Sequence, residues 1–223
     1  MSELRKIAVI GGTGSLGKAL AWRWARAGYE VTIGSRSEEG AQTAAADINA
    51  RLGRDVVLAA ANPDATDGAD VVVLTVPFSA HQPTLESIKP RLSGQILIDT
   101  TVPLCPPKVS VVQLPEEGCA AVMTQRLVGE SAQVASAYHN VSAGLLDKDV
   151  EVDCDILVFA DDLAVRKTLK KLVEDSGCRP INAGKLANSA ASEALTSVLI
   201  HINRTYKTPH SGIRITGIET DSE

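Results

Sequence analysis

Seven residues after the run KIAVI (6–10) carry the plainest chemistry in the chain: Gly11-Gly12-Thr13-Gly14-Ser15-Leu16-Gly17. The spacing Gly12-x-Gly14-x-x-Gly17 is that of a dinucleotide fingerprint. In such a turn the first glycine permits a tight bend and the second lets the backbone approach a pyrophosphate. The third allows close packing of helix on strand. A helix starting near Ser15 points its N-terminal amides and dipole at the phosphates. An isolated motif of this kind can also be a tight structural turn. Here it lies between a strand and a helix, ten residues into the chain, which favours the nucleotide.

The tip of the next strand, YEVTIGS (29–35), selects among dinucleotides. An NAD site carries Asp or Glu there to accept hydrogen bonds from the ribose 2′-hydroxyl. This chain has Gly34-Ser35-Arg36 instead. No carboxylate stands there to repel a 2′-phosphate; Ser35 can donate to it and Arg36 offers a charge-assisted fork. A solvated surface arginine is the plain alternative. The expected cofactor is NADP(H). Two further segments end strands, Leu74-Thr75-Val76-Pro77-Phe78 and Thr101-Val102-Pro103. In an open α/β sheet the ligand lies outside the carboxyl ends of the strands, so both should border the nicotinamide.

The elements that must position these groups alternate. Strands are expected at 6–10, 29–35, 56–60, 69–77 and 94–100, with helices at 15–28, 37–51 and 80–92 between them. This alternation predicts an α/β fold, a Rossmann-type doubly wound and mostly parallel sheet. Residues 101–118 hold four prolines and read as an irregular excursion along the rim of the cleft. A helix at 119–129 and a strand at 132–139 follow. The expected organisation is a cofactor-binding domain over 1–149 and a smaller C-terminal lobe over 150–223. That lobe would hold a strand at 154–160, a helix at 162–176, a short strand near 179–181 and a last helix from Lys185. In the last helix Leu195, Val198, Leu199 and Ile202 form an apolar stripe that can pack on a core or a partner.

Composition sets the outer limits. Hydrophobic residues make up 44% but aromatics only 3%, so the core must be aliphatic, as suits a parallel sheet covered on both faces. A net charge of −5 argues against nucleic acid as the main partner. The four cysteines (Cys105, Cys119, Cys154, Cys178) form no C-x-x-C pair, so no metal site is expected. No segment approaches the ~20 apolar residues needed to span a bilayer. The start MSELRKIAVI shows no signal peptide, so the expected location is the cytoplasm, with no membrane partner.

Taken together, GGTGSLGKAL, IGSR, VLTVP, TVP, SAYHNVSA (136–143) and INAGKLANS (181–189) resemble the NADPH-dependent reductases of the deazaflavin coenzyme F420. The resemblance spans nearly the whole chain. It implies a compact oligomeric Rossmann enzyme, expected as a homodimer, that moves a hydride between C4 of the nicotinamide of NADP(H) and C5 of coenzyme F420. Carried over by residue, Thr13, Gly14, Ser15 and Leu16 match the phosphate loop, and Ser35 and Arg36 the 2′-phosphate clamp. Val76, Val102 and Ala143 match positions lining the nicotinamide half, and His139 a histidine where the two rings meet. Gly40 stands where the family commonly has a basic residue, and Ser142 where it has proline.

A hydride transfer of this kind asks the protein to hold donor and acceptor carbons within roughly 3–3.5 Å and to exclude water. A ketone or imine acceptor would instead call for a proton donor such as His139 or Tyr138. His139 is the candidate for a hydrogen bond to the acceptor ring, a histidine satisfied at a strand end being the plain reading. From Ala194 to Ile218 there is no acidic residue, while Arg204, Lys207 and Arg214 could hold the phosphate and carboxylates of a deazaflavin tail. A solvated helix end is the plain reading of that basic run. Two other functional readings stand beside the first: reduction of a flavin, imine or ferric chelate, and a non-catalytic NADPH sensor.

Overall fold

The computed structural model describes residues 5–218; residues 1–4, part of the stretch read for a signal peptide, lie outside the described residues. The first half runs β1 (Lys6–Ile10), α1 (Ser15–Ala27), β2 (Glu30–Ser35), α2 (Glu38–Leu52), β3 (Val57–Ala61), α3 (Asn62–Ala65), β4 (Val71–Leu74), α4 (Phe78–Ile88) and β5 (Gln95–Asp99). The second runs α5 (Ala120–Val128), β6 (Ala132–Ser136), α6 (Ala143–Leu146), β7 (Asp155–Ala160), α7 (Leu163–Asp175), β8 (Arg179–Asn182) and α8 (Ser189–Tyr206). Helices α1 and α2 stop where expected, because Gly28 and Gly53 take up the left-handed conformation that closes a helix.

All eight strands form one sheet in the order β3-β2-β1-β4-β5-β6-β7-β8. Strands β1 to β6 are parallel, β7 pairs antiparallel with β6, and β8 runs parallel to β7. Strand side chains alternate between two aliphatic layers. Ile7, Val9, Val71 and Val73 face the layer shared with α1, α2 and α7; Ala8, Ile10, Val72 and Leu74 face the one shared with α4 and α5. Ile10 lies beside both Gly34 and Leu74, so the turns after β1, β2 and β4 open side by side. This is the doubly wound architecture read from the alternation, with the cleft at the carboxyl edge.

Two features depart from the local expectation. Strand β6 ends at Ser136 rather than 139, because Tyr138 adopts φ +66 and turns the chain. Its ring then enters the core, 2% exposed, edge-on to Trp24 with its hydroxyl 3.0 Å from Ser176 Oγ. The second is Arg23, buried on α1, which donates to the carbonyls of Leu146, Lys148, Val150 and Ser176. Burial lowers its pKa, and no carboxylate bonds to it among the described residues; oriented peptide carbonyls replace water around the charge. Arg23 thereby ties the segment from 146 to 150 and the end of α7 to the first helix.

Candidate cofactor site

The glycine turn is built by close approach. Gly11, not Gly12, supplies the left-handed residue (φ +73), and a Cβ there would lie 2.5 Å from Val76 Cγ1. A Cβ on Gly17 would stand 2.7 Å from both Gly12 Cα and Thr75 Oγ1, so the helix packs on the turn only as glycine. At Gly14 the nearest atom to a Cβ is 3.5 Å away, which leaves its face open to a ligand. The loop is held by hydrogen bonds from Gly12 N to Gly34 O (3.0 Å) and from Gly14 N to Gly11 O (3.1 Å). Gly14 caps α1 without any side-chain bond to the first-turn amides, an arrangement that suits a phosphate group.

A cavity of about 310 Å³ opens at this turn. It brings together the predicted Thr13, Gly14, Ser35, Arg36, Val76 and Pro77. Ser35 is nearly buried and its Oγ accepts from Ser37 N at 3.1 Å, while Arg36 is exposed and makes no ion pair among the described residues. Ser37 caps α2 through Gly40 N. Arg36 is the one charged residue in the wall, so the clamp end is electropositive and has room for an anion. The residues present therefore fit a phosphorylated dinucleotide. Ser15 and Leu16 begin α1 at the edge of this turn, and Gly12 and Gly17 are packed beneath it.

Sequence reasoning missed Ser37, Asn62, Ala80 and Thr84 in the same wall, and named Thr75 only as part of the segment expected at the nicotinamide. Thr75 had a signal, since it precedes the chosen Val76, and its Oγ1 donates to Ile10 O at 2.9 Å. Asn62 had a weaker one: an Asn-Pro step directly after a strand is a helix start at the carboxyl edge.

Val102 and His139 lie on the loops after β5 and β6 and Ala143 begins α6; none of the three lines this cavity. Beneath those loops is a buried polar junction. Asp99, fully buried, accepts from Thr124 Oγ1 (2.5 Å) and Thr101 N (2.8 Å) and lies 2.9 Å from His81 Nε2. Burial pushes its pKa up, but His81, Thr124 and Thr101 outweigh this and hold it below the usual carboxylate value. The bond to Thr101 fixes the start of the Thr-Val-Pro turn. Glu193, from α8, accepts from Ala120 N (2.6 Å), Ala121 N (3.2 Å) and Ser189 Oγ (2.9 Å), so it caps α5 from a distant helix. Burial raises its pKa to about 7 against the pull of those amides.

His139 is 5% exposed, with Nδ1 3.2 Å from Ser192 Oγ and Nε2 without a hydrogen-bond partner among the described residues. Burial drives its pKa down to about 4, with Asp99 pulling the other way, so the ring is neutral at pH 7. Ser142 caps α6 next to Ala143 and lies 2.8 Å from His210 Nδ1. The basic run is dispersed. Arg204 bonds Ser110 Oγ, Lys207 is the exposed left-handed residue after α8, and Arg214 pairs with Asp153 and Asp155.

Fold and cavity together define a Rossmann-type nucleotide-binding protein whose anion end suits a 2′-phosphorylated dinucleotide. Residues 6–103 match the family described as NADP oxidoreductase, coenzyme F420-dependent. The chain is 43% identical over 221 residues to the F420-dependent NADP reductase of Methanothermobacter thermautotrophicus, covering 96% of this chain and 95% of that one. It is 38% identical over 223 residues to the enzyme of the same name from Methanocaldococcus jannaschii, covering 96% and 99%. A crystal structure from Arthrobacter sp. fb24, described as an F420-dependent NADP-reductase, superposes with a TM-score of 0.79 at 26% identity over 94% of this chain and 98% of that one. The chain belongs to the F420-dependent NADP reductase family.

Proposed function

We propose that this protein is an oxidoreductase that transfers a hydride between NADP(H) and coenzyme F420. The observation that carries the reading is full-length similarity to reductases of that name, joined to a cavity whose one charged wall residue is Arg36, beside Ser35. In this reading Thr13 to Gly17 hold the diphosphate through backbone amides, and Ser35 and Arg36 hold the 2′-phosphate. Val76, Pro77, Val102 and Ala143 flank the nicotinamide and keep water from it. Ser192 Oγ donates to Asn140 Oδ1, so the neutral His139 keeps its proton on Nδ1 toward Ser192, and its unpartnered Nε2 would accept a hydrogen bond from the acceptor ring. The nicotinamide supplies the hydride chemistry; the chain supplies alignment and a dry, aliphatic wall.

An imine or ketone acceptor is less well supported. Tyr138, one of the two proton donors such a reaction could use, is committed to the core and to Ser176, and burial raises its pKa well above the ordinary phenol value. Among the described residues no helix is long and apolar enough to cross a membrane. A cytoplasmic homodimer completes the reading. Its support is α8, where Val198 is 42% and Tyr206 76% exposed although Ser189, Ser192 and Glu193 at its start are buried against α5 and the end of β6.

Purified protein mixed with NADPH and oxidised coenzyme F420 should bleach the deazaflavin's visible absorbance, with no turnover of FMN. Absence of bleaching would remove the reading. Arg204, Lys207 and Arg214 are proposed to steer the tail of the deazaflavin. Exchanging Arg204 and Lys207 for alanine should raise KM for the deazaflavin and spare that for NADPH; equal KM values for both cofactors before and after would discard this contact.

A further inference from the structure

Asn62 has a geometry that its place in the fold does not by itself require. It is the first residue of α3, and the pairing of Ser35 with Ala61 sets residue 62 beside the Ser35–Arg36 step. Its side chain is 5% exposed, yet it forms part of the cavity wall. Oδ1 accepts from Gly11 N at 3.3 Å. That bond orients the amide group, because only the oxygen can accept from an N–H. Nδ2 is consequently the free end, and it makes no hydrogen bond to any described residue.

Nδ2 is not itself sealed from solvent, so it opens on the cavity, and a donor facing a cavity is normally met there by a ligand or water. The cavity end where Asn62 stands is also short of cations. Gly40 contributes no side chain, and Arg36 is the one charge in the wall. A dianionic group there needs further donors, and a neutral amide supplies one without changing the charge of the site.

We infer that Asn62 determines specificity for the phosphorylated cofactor: its side-chain Nδ2 donates a hydrogen bond to the 2′-phosphate of NADP(H), as the third member of the clamp with Ser35 and Arg36. This rests on the NADP reading of the cavity. The same residue ties the clamp to the glycine turn through Gly11, so one amide spans the two phosphate-binding ends of the site.

Asn62→Asp separates the two roles. The aspartate has nearly the same shape and can still accept from Gly11 N, but it turns the free donor into an anionic acceptor facing the phosphate. Binding of 2′,5′-ADP and of 5′-AMP should be measured by calorimetry for the wild-type protein and the variant. The wild type should prefer 2′,5′-ADP. Asn62→Asp should weaken 2′,5′-ADP on the order of tenfold or more, leave 5′-AMP close to unchanged, and keep the wild-type circular dichroism.

If the wild type shows no preference for the 2′-phosphorylated ligand, the NADP reading fails and this inference with it. If the preference is present and the variant keeps it, or loses both ligands equally, the inference alone is overturned. Should Asn62→Asp not fold, Asn62→Ala serves the same comparison. It too must lose affinity for 2′,5′-ADP more than for 5′-AMP, and an equal loss counts against the proposal.

Discussion

Around the glycine turn the cleft is shaped by backbone atoms and missing side chains, with bonds such as Gly14 N to Gly11 O made inside one short segment. At the junction of β6, α5 and α8 it is shaped by side chains that meet across 52 to 73 positions of sequence: Asn140 with Ser192, Ser136 with Ser189, and Glu193 with Ala120. The first region tolerates no added atoms at Gly11, Gly12 or Gly17 and holds little polar cost. The second is full of buried donors and acceptors, most of them answered by a partner, with His81 Nδ1, Thr101 Oγ1 and His139 Nε2 unanswered among the described residues.

Removing Asp99 should break the polar junction most severely. Asp99→Leu leaves His81 Nε2, Thr124 Oγ1 and Thr101 N facing an apolar side chain. His81 Nε2 and Thr124 Oγ1 keep each other at 2.8 Å while Thr101 N loses its acceptor, and a loss of about 3–5 kcal/mol is expected for breaking a buried pair on one side. Denaturant unfolding measures it, and a loss below about 1 kcal/mol would show that the junction relaxes more freely than its closeness suggests.

Gly17→Ala tests the other region. Its Cβ would meet Gly12 Cα and Thr75 Oγ1 at 2.7 Å, and a backbone atom cannot swing aside. The expected cost is about 1–3 kcal/mol of stability, typical of overpacking, with a disproportionate loss of NADPH affinity because the turn itself must move. Equal NADPH affinity in variant and wild type would refute the close-approach argument.

The smallest effect is the net pH dependence of stability, and it sharpens the comparison within the junction. The folded pKa of Glu193, about 7, stands above the ordinary 4.5, so the folded protein binds more protons there and this contribution falls as pH rises from 4.5 to 7. His139 is depressed to about 4 from 6.5, so its contribution is present above 6.5 and is lost as pH falls toward 4. Between 4.5 and 6.5 the two oppose each other, and the wild-type melting temperature should vary little. Glu193→Gln should uncover the histidine slope, with Tm rising from pH 4.5 to 6.5; a profile parallel to the wild type would mean that Glu193 titrates as an ordinary carboxylate.

Much of the fold was legible in the chain. Strands announced themselves as aliphatic runs, and helix ends at Gly28 and Gly53 fell within a residue or two of the reading, because glycine closes a helix locally. The cofactor wall was legible wherever its residues sat on a motif: Thr13, Gly14, Ser35, Arg36, Val76 and Pro77. Asn62 was not, since its partner Gly11 lies 51 positions away. On α8 the apolar stripe is divided, Leu199 buried, Leu195 and Ile202 half-buried and Val198 exposed, while Ser189, Ser192 and Glu193 are buried because Ser136, Asn140 and the amides of α5 satisfy them, which no local pattern announces.

By itself, then, the sequence determined the doubly wound sheet, the glycine turn and the absence of a carboxylate at the tip of β2, since each depends on residue type within a few positions. Tertiary structure alone decided which glycine is left-handed, which way Asn62 turns its amide, and that His139 is neutral while Glu193 holds a pKa near 7. Those properties depend on burial and on partners brought together only by folding, and neither is encoded in local pattern.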